Sequence, residues 1–213
     1  MKKKVTTCYI SPKGNDRAAG TAASPLRTLG RALKKAAAAS GPVRIILHPG
    51  VYPSFSLRHV WGVAGRPIII CGLNPIPIDF SVAKQLEGGR MEWRSAREAL
   101  DHGVLQLPGP EGLAIIDGSD GKGSALYDCR DLRLEHLVFY NGRTELAMHR
   151  CQRVTVADCV MTGEPERSFA GVVFCIDGPK DRPSRDIRLE RLLIYNLKEC
   201  GISVSPGALY DSC

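Results

Sequence analysis

The feature of this sequence that most constrains its fold is a repeat in the C-terminal half. Three segments align with one another without gaps, beginning at Cys129, Cys151 and Ser184. The first two are 22 residues apart and the second and third are 33 apart. We place the extra residues in the loop at 178–183, because loops tolerate insertions and strands do not. Such a repeat predicts a supersecondary unit that stacks on copies of itself.

Each copy carries the pattern of two short strands. In the first copy the apolar positions are Leu132 and Leu134, then a break of one residue, then Leu137 and Phe139. Alternation is typical of a strand with one buried face, and the break predicts a bend between two strands. A leucine-rich repeat is disfavoured, because its signature does not recur and the second half of each copy lacks a helical face. The sequence therefore predicts an all-β solenoid with coils of about 22 residues, each strand pairing with its equivalents in neighbouring coils.

The N-terminal part predicts one strand and one helix. Residues 5–12 have strand composition and lead into a loop rich in Gly, Asn and Asp. Ser24 is a predicted N-cap, with Pro25 at the first helical position. Gly41 then supplies the end of the helix. We thus expect an N-terminal strand and helix over 5–41.

The remainder is predicted to belong to the same domain, which spans residues 1–213. Short strand patterns with Gly and Pro corners fill 42–72 and predict the first coils. Residues 73–112, Pro-rich and then rich in Lys, Glu and Arg, are interpreted as an inserted loop. The coils are expected to resume over 113–213 and to leave an open C-terminal end.

Charge and hydropathy narrow the classes of partner. The formal net charge is +7, which permits attraction to nucleic acid, anionic lipid or acidic polysaccharide. No apolar run approaches the roughly 20 residues of a membrane span. The arginines have few aromatic neighbours and no recognition motif accompanies the charge, which argues against nucleic acid. A solvated strand exterior is the alternative reading of the charge.

The start of the chain and its cysteines bear on the compartment. Lys2, Lys3 and Lys4 pass directly into polar residues without an apolar stretch, so no secretory signal is predicted and the expected location is cytoplasmic. Eight cysteines without a C-x-x-C spacing indicate reduced, buried thiols and argue against a zinc site. Cys129 and Cys151 are predicted to stack as a buried thiol pair.

Residues 8–72 resemble the N-terminal signature of pectate-lyase-like right-handed parallel β-helix proteins. The motifs that carry the resemblance are Tyr9-Ile-Ser-Pro-Lys-Gly-Asn-Asp16, Gly20-Thr21, Ser24-Pro-Leu-Arg-Thr-Leu-Gly-Arg-Ala32 and Pro49-Gly-Val-Tyr52. In that family this segment forms a first strand, a helix that caps the open end of the core, and the first coil. The resemblance implies a right-handed β-helix and an acidic polysaccharide as partner. It also implies an extracellular location, in conflict with the cytoplasmic location expected from the absence of a secretory signal.

The repeat register places candidate site residues on one outward face. Leu126 and Met148 should point inward, so Tyr127 and His149 should face outward one coil apart. In the family that this chain resembles, the saccharide groove runs along such a face and its flanking loops. The candidates are Tyr127, Asp128 and Asp177 for substrate binding, and His149 and Arg150 for catalysis.

The chemistry that the resemblance implies is β-elimination from an acidic sugar. It needs a base for the proton next to the carboxyl group and a cation or Ca²⁺ to neutralise that carboxylate. His149 is the predicted base and Arg150 the predicted carboxylate clamp; a plain surface histidine is the alternative for His149. Ligands for Ca²⁺ would have to come from several coils and show no diagnostic spacing. The available carboxylates are Asp117, Asp120, Asp128, Asp177 and Asp181, of which the first two also suit turns that hydrogen-bond their own backbone.

Three functions remain open at this stage. The first is a carbohydrate-active β-helix, either a polysaccharide lyase or a glycoside hydrolase. The second is a non-catalytic structural or adhesive module, of the kind found in phage or surface fibres. The third is an inactive fragment of a longer enzyme, because the lyases it resembles are longer. An open C-terminal end also predicts self-association, since an uncapped array exposes its core and strand edges.

Overall fold

Three parallel β-sheets and one helix make up the described part of the computed structural model, which covers residues 5–39, 41–76, 112–164, 168, 170–175, 184–194 and 197–204. Sheet A consists of β1 (Thr6–Ile10), β2 (Val43–Leu47), β5 (Ile68–Gly72), β8 (Arg130–Glu135), β11 (Gln152–Ala157) and β14 (Arg185–Glu190), in that spatial order. Sheet B consists of β3 (Gly50–Pro53), β6 (Ala114–Asp117), β9 (Leu137–Tyr140), β12 (Val160–Thr162) and β15 (Leu193–Ile194). Sheet C consists of β4 (Ser56–Arg58), β7 (Ser124–Tyr127), β10 (Thr144–His149), β13 (Ala170–Cys175) and β16 (Cys200–Val204).

The strand register reproduces the sequence repeat. In sheet A, Val154 pairs with Leu132 on one side and with Ile187 on the other. In sheet B, Val160 pairs with Val138 on one side and with Leu193 on the other. The chain passes from sheet A to B to C and back to A, and every named strand pair is parallel. The predicted parallel β-helix is therefore confirmed.

The core is a stack of equivalent apolar side chains inside the three sheets. Leu132, Leu134, Leu137 and Phe139 are each at most 1% exposed, as the alternation and the break predict. Burial of a side chain of this size stabilises a fold by about 1.5–3 kcal/mol. Because each coil adds such a set, the core is continuous along the axis.

The helix α1 (Leu29–Ala37) begins later than the sequence predicts, so the expected N-cap at Ser24 is wrong. Leu26 is fully buried in an extended segment, where its N–H donates to the carbonyl oxygen of Tyr9 at 2.9 Å. The cap is Thr28, whose hydroxyl accepts the N–H of Arg31 at 3.2 Å. The helix ends at Ala37 rather than at Gly41.

A long-range carboxylate explains the position of that cap. The two oxygens of Asp16 accept the N–H and the hydroxyl of Thr28, both at 2.8 Å. This contact fixes Thr28 outside the helix with its hydroxyl aimed at the first turn. The helix then contacts β1 and β2 and buries Ala32 and Ala36. Within the described residues, no helix is long and apolar enough to cross a membrane.

Oppositely charged side chains bridge neighbouring coils, two pairs at the bends between strands and one pair at the start of β8 and β11. Each member has a positive φ between 49° and 52°, a conformation that costs a non-glycine residue roughly 1–2 kcal/mol. Each arginine makes two hydrogen bonds of 2.6–2.8 Å to its carboxylate. These bidentate pairs offset the backbone cost and are called the corner pairs below. They are Asp128–Arg150, Asp131–Arg153 and Asp158–Arg191.

Other sequence predictions have mixed outcomes. Cys129 and Cys151 are free, buried thiols in neighbouring coils, as predicted. Of the inserted loop predicted at 73–112, residues 77–111 lie outside the described part of the chain, as does Asp177.

Candidate functional site

The predicted outward residues lie side by side on sheet C. Strands β7 and β10 are neighbours, and their register pairs Tyr127 with His149. Leu126 and Met148, one position earlier, are fully buried. Strand alternation therefore turns Tyr127 and His149 to the outer face, where both are half-buried. The outward placement predicted from the repeat is confirmed.

The two rings are stacked, and a guanidinium extends the stack. The ring centroids of Tyr127 and His149 are 4.4 Å apart, with 13° between the planes. The guanidinium carbon of Arg58 lies 4.0 Å from the centroid of the Tyr127 ring. Arg58 is on β4, the other neighbour of β7, so it covers the opposite ring face. We call Arg58, Tyr127 and His149 the sheet C column.

This arrangement determines what the column presents to a ligand. Both faces of the Tyr127 ring are covered, so its phenol edge points outward. A sugar cannot stack on that ring but can hydrogen-bond the Tyr127 hydroxyl and the edge of the His149 imidazole. Arg58 places a cation on an aromatic face, and no ion pair of Arg58 occurs within the described residues. The column is thus a row of polar edges with a positive end.

Arg58 was missed by the sequence reasoning, although it completes the stack. Its distance from Tyr127 along the chain, across a segment that breaks the repeat, is unrelated to the 22-residue period. The repeat could therefore not register β4 against β7.

The other two described candidates form a corner pair beside the column. Arg150 Nε donates to one oxygen of Asp128 at 2.8 Å, and a terminal nitrogen donates to the other at 2.6 Å. Hydrogen bonding to Asp128 raises the pKa of Arg150. The structure thus brings four of the five candidates together, but it gives Arg150 a carboxylate partner from its own chain. Its role as a substrate clamp stays a prediction, as does the role of Asp177.

An exposed indole lies next to this corner pair. Trp61 is 58% exposed, and its Nε1–H donates to the backbone carbonyl of Asp128 at 2.7 Å. Its backbone forms a bridge with Arg130, whose guanidinium carbon is 5.4 Å from the indole centroid. The ring of His59 meets it edge-on at 6.2 Å. Trp61 is therefore exposed but held in place.

A groove of about 690 Å³ separates α1 from the loop that carries Trp61, residues 59–67 between β4 and β5. Its cationic lining residues are Lys34 from the helix, Arg58 from β4 and Arg66 from the loop. Trp61 forms part of the wall. The described residues that line it include no Asp or Glu. We call this the helix groove, and Arg58 belongs to both the groove and the column.

Two of the carboxylates considered for Ca²⁺ hydrogen-bond their own loops. Asp117 accepts the N–H of Ser119 at 2.9 Å, and Asp120 accepts the N–H of Lys122 at 3.1 Å. This is the turn arrangement that the sequence offered as the alternative for both. In the described segments, His, Cys, Asp and Glu side chains form no group of three that could hold a metal ion. These residues do not fit a calcium site, and Asp177 and Asp181 lie outside the described segments.

One buried carboxyl group was not anticipated. Glu145 is 1% exposed, and its oxygens accept the N–H of Gly142 at 3.1 and 3.2 Å. Burial raises the pKa of Glu145 to about 7. A glutamate at the start of a strand pattern has the sequence signal of an exposed residue, so only the packing reveals it.

Comparison with known proteins gives structural likeness only. No protein-family model matches the chain, and its sequence matches no curated protein. A rhamnogalacturonan lyase structure is similar over 93% of this chain and 53% of its own, with 12% identity and a TM-score of 0.49. The pectate lyase Pel9A is similar over 89% of this chain and 47% of its own, with 14% identity and a TM-score of 0.45. The chain thus spans about half the length of each.

Proposed function

We propose that this chain is a right-handed parallel β-helix that binds an acidic polysaccharide along the outer face of sheet C. In this proposal each regular coil has about 22 residues, and α1 caps the N-terminal end of the core. The observation that carries the proposal is the sheet C column. It aligns a guanidinium, a phenol edge and an imidazole edge on three adjacent strands.

The geometry of the column suits a polymer. Neighbouring strands are about 4.8 Å apart, so the column runs across the strands and along the axis of the solenoid. A polyuronate laid on that line meets a hydrogen-bonding group at each coil. The net charge of +7 favours association with a polyanion and adds to the attraction at every contact.

The catalytic form of this proposal is β-elimination. The imidazole of His149 takes the proton from the carbon next to the carboxyl group. A carbon–carbon double bond forms, the glycosidic oxygen leaves from the adjacent carbon, and that oxygen takes up a proton. The carboxylate needs a cation as charge develops on it. Arg58 supports this role better than Arg150, because Asp128 already neutralises Arg150.

Binding without turnover is the second candidate, and the Asp128–Arg150 pair favours it. Because Asp128 neutralises Arg150, this arginine is not an uncompensated cation beside His149. In this candidate the chain is a structural or adhesive module, or an inactive part of a longer enzyme. Its β14, β15 and β16 have a strand neighbour on one side only within the described residues, and self-association through strand edges stays a prediction.

The test measures binding and cleavage together. Pectate, alginate and a glycosaminoglycan are titrated with and without calcium, beside a neutral glucan, and unsaturated uronide is followed by its ultraviolet absorbance. We expect Arg58→Ala and His149→Ala to weaken binding of the acidic polymers. The matched control is Arg188→Ala, an exposed arginine on sheet A.

The outcomes separate the two candidates. Product that forms with wild type and disappears in His149→Ala identifies a lyase and its base. Binding without product supports the non-catalytic module. If the folded protein binds no acidic polymer, or if Arg188→Ala weakens binding as much as Arg58→Ala, the column is not the site.

A further inference from the structure

The indole of Trp61 is exposed in a fixed orientation, which is unusual for a surface aromatic. Its Nε1–H bonds the Asp128 carbonyl and its backbone bridges to Arg130. A third constraint comes from Gly62, where a Cβ would lie 2.2 Å from the backbone oxygen of Asp131. The chain at Gly62 is therefore packed against β8 too closely for any side chain. A large apolar surface held rigidly in solvent is typical of a recognition surface.

The helix groove beside it has the charge of an anion site. Lys34 and Arg66 lie on opposite walls, one on α1 and one on the loop, and both are exposed. Arg58 lines the groove where it meets the column. Without an acidic side chain among the described lining residues, these cations are not neutralised within the groove. Its volume of about 690 Å³ lies within the range of small-molecule sites.

We infer that the helix groove is a second saccharide subsite, which takes an acidic sugar unit stacked on Trp61 with its carboxylate toward Lys34 and Arg66. This inference rests on the proposed function, because it extends the same polymer beyond the column. A sugar ring has a face of C–H groups that packs on an indole, and its carboxylate forms charge-assisted hydrogen bonds.

The column and the groove have complementary roles in this arrangement. The column offers only ring edges, so it supplies hydrogen bonds and no stacking surface. Trp61 supplies the stacking surface that the column lacks. Arg58 belongs to both sites, so a polymer that leaves the column at Arg58 enters the groove directly. Long oligomers should therefore bind more tightly than short ones that reach the column alone.

The experiment titrates oligouronates of defined length, prepared from pectate, into the full chain. Trp61 and Trp93 are the two tryptophans, so Trp93→Phe makes the indole emission report on Trp61 alone. We expect a long oligouronate to change this emission and a short one to leave it unchanged. Replacing both Lys34 and Arg66 by Ala should lower the affinity for the long oligomer about tenfold, while the short oligomer binds as before.

Two further variants keep the test decisive. The matched control replaces Lys122 and Arg188 by Ala, which removes the same charge elsewhere on the surface and should leave the affinity for the long oligomer unchanged. Trp61→Phe keeps an aromatic ring and should lower that affinity less than Trp61→Ala. The thermal midpoint of each variant checks that it is folded.

The result that overturns the inference differs from the one that overturns the proposed function. Long and short oligouronates that bind equally, with no change in Trp61 emission and no effect of the groove variants, remove the second subsite and leave the column. An equal loss in the Lys122 and Arg188 control also removes it, because overall charge then explains the binding. Absence of binding at every oligomer length overturns both.

Discussion

Replacing Glu145 by Gln should remove a pH dependence from the stability of the fold. The carboxyl group of Glu145 is buried beside the N–H of Gly142. Burial raises its pKa from the ordinary value of 4.5 to about 7, because the charged form is poorly solvated there. The folded chain therefore keeps a proton on Glu145 in a pH range where the unfolded chain has lost it.

The sign and size of the effect follow from this difference. Between pH 4.5 and about 7 the unfolded state binds fewer protons, so the free energy of unfolding falls as the pH rises. The pKa difference corresponds to roughly 3 kcal/mol, fully present below the unfolded pKa and lost as the pH passes through the folded pKa. Glutamine is neutral throughout and has nearly the same shape. Glu145→Gln should match wild type in acid and exceed it by up to about 3 kcal/mol above neutral pH.

The assay is urea unfolding of both proteins at several pH values from mildly acidic to mildly alkaline. Glu164→Gln, at an exposed position of the neighbouring loop, controls for the loss of one negative charge. We expect the difference between wild type and Glu145→Gln to grow with pH and then level off, while Glu164→Gln stays parallel to wild type. A constant difference between wild type and Glu145→Gln at all pH values would refute the reasoning.

Three further predictions concern the frame that holds the site, each checked by the free energy of unfolding. Gly62→Ala should destabilise the fold by about 1–3 kcal/mol, because the added Cβ would meet backbone atoms. Gly30→Ala, where the added Cβ meets nothing within 4 Å, should stabilise α1 by up to about 1 kcal/mol. Equal effects of the two substitutions would contradict this prediction. Hydrogen bonding to Arg153 lowers the pKa of Asp131 in the folded chain. Asp131→Asn should therefore be less stable than wild type at neutral pH, and the difference should disappear as the pH falls through that pKa. A difference that persists in acid would argue against the ion pair. Thr28→Ala should cost about 1 kcal/mol and Ser24→Ala little, which the opposite order would refute.

The repeat made the regular part of the fold predictable. A solenoid pairs equivalent residues of neighbouring coils, so aligning Leu132 with Val154 in the sequence predicts that they are partners in the sheet. The same argument gave the outward placement of Tyr127 and His149. These predictions needed only local alternation and one period, and both are visible along the sequence.

Contacts between residues outside the repeat were not predictable in this way. The helix start depends on Asp16, which precedes Thr28 by twelve residues and holds it through side-chain contacts. The contact of Arg58 with Tyr127 crosses a segment without the period. The corner pairs differ from both cases, since Asp131 and Arg153 occupy equivalent positions of two copies. Their spacing is visible in the sequence. That the two side chains form an ion pair, and that both residues have a positive φ, could be learned only from the structure.

The corner pairs also limit which coils this solenoid can lose. The charge at one position alternates over three successive coils, from Asp131 to Arg153 to Asp186. Deleting the single coil that carries Arg153 would stack Asp131 on Asp186 and bring two carboxylates together. A shortened form that lacks this coil should therefore be less stable than the loss of its apolar side chains alone would make it.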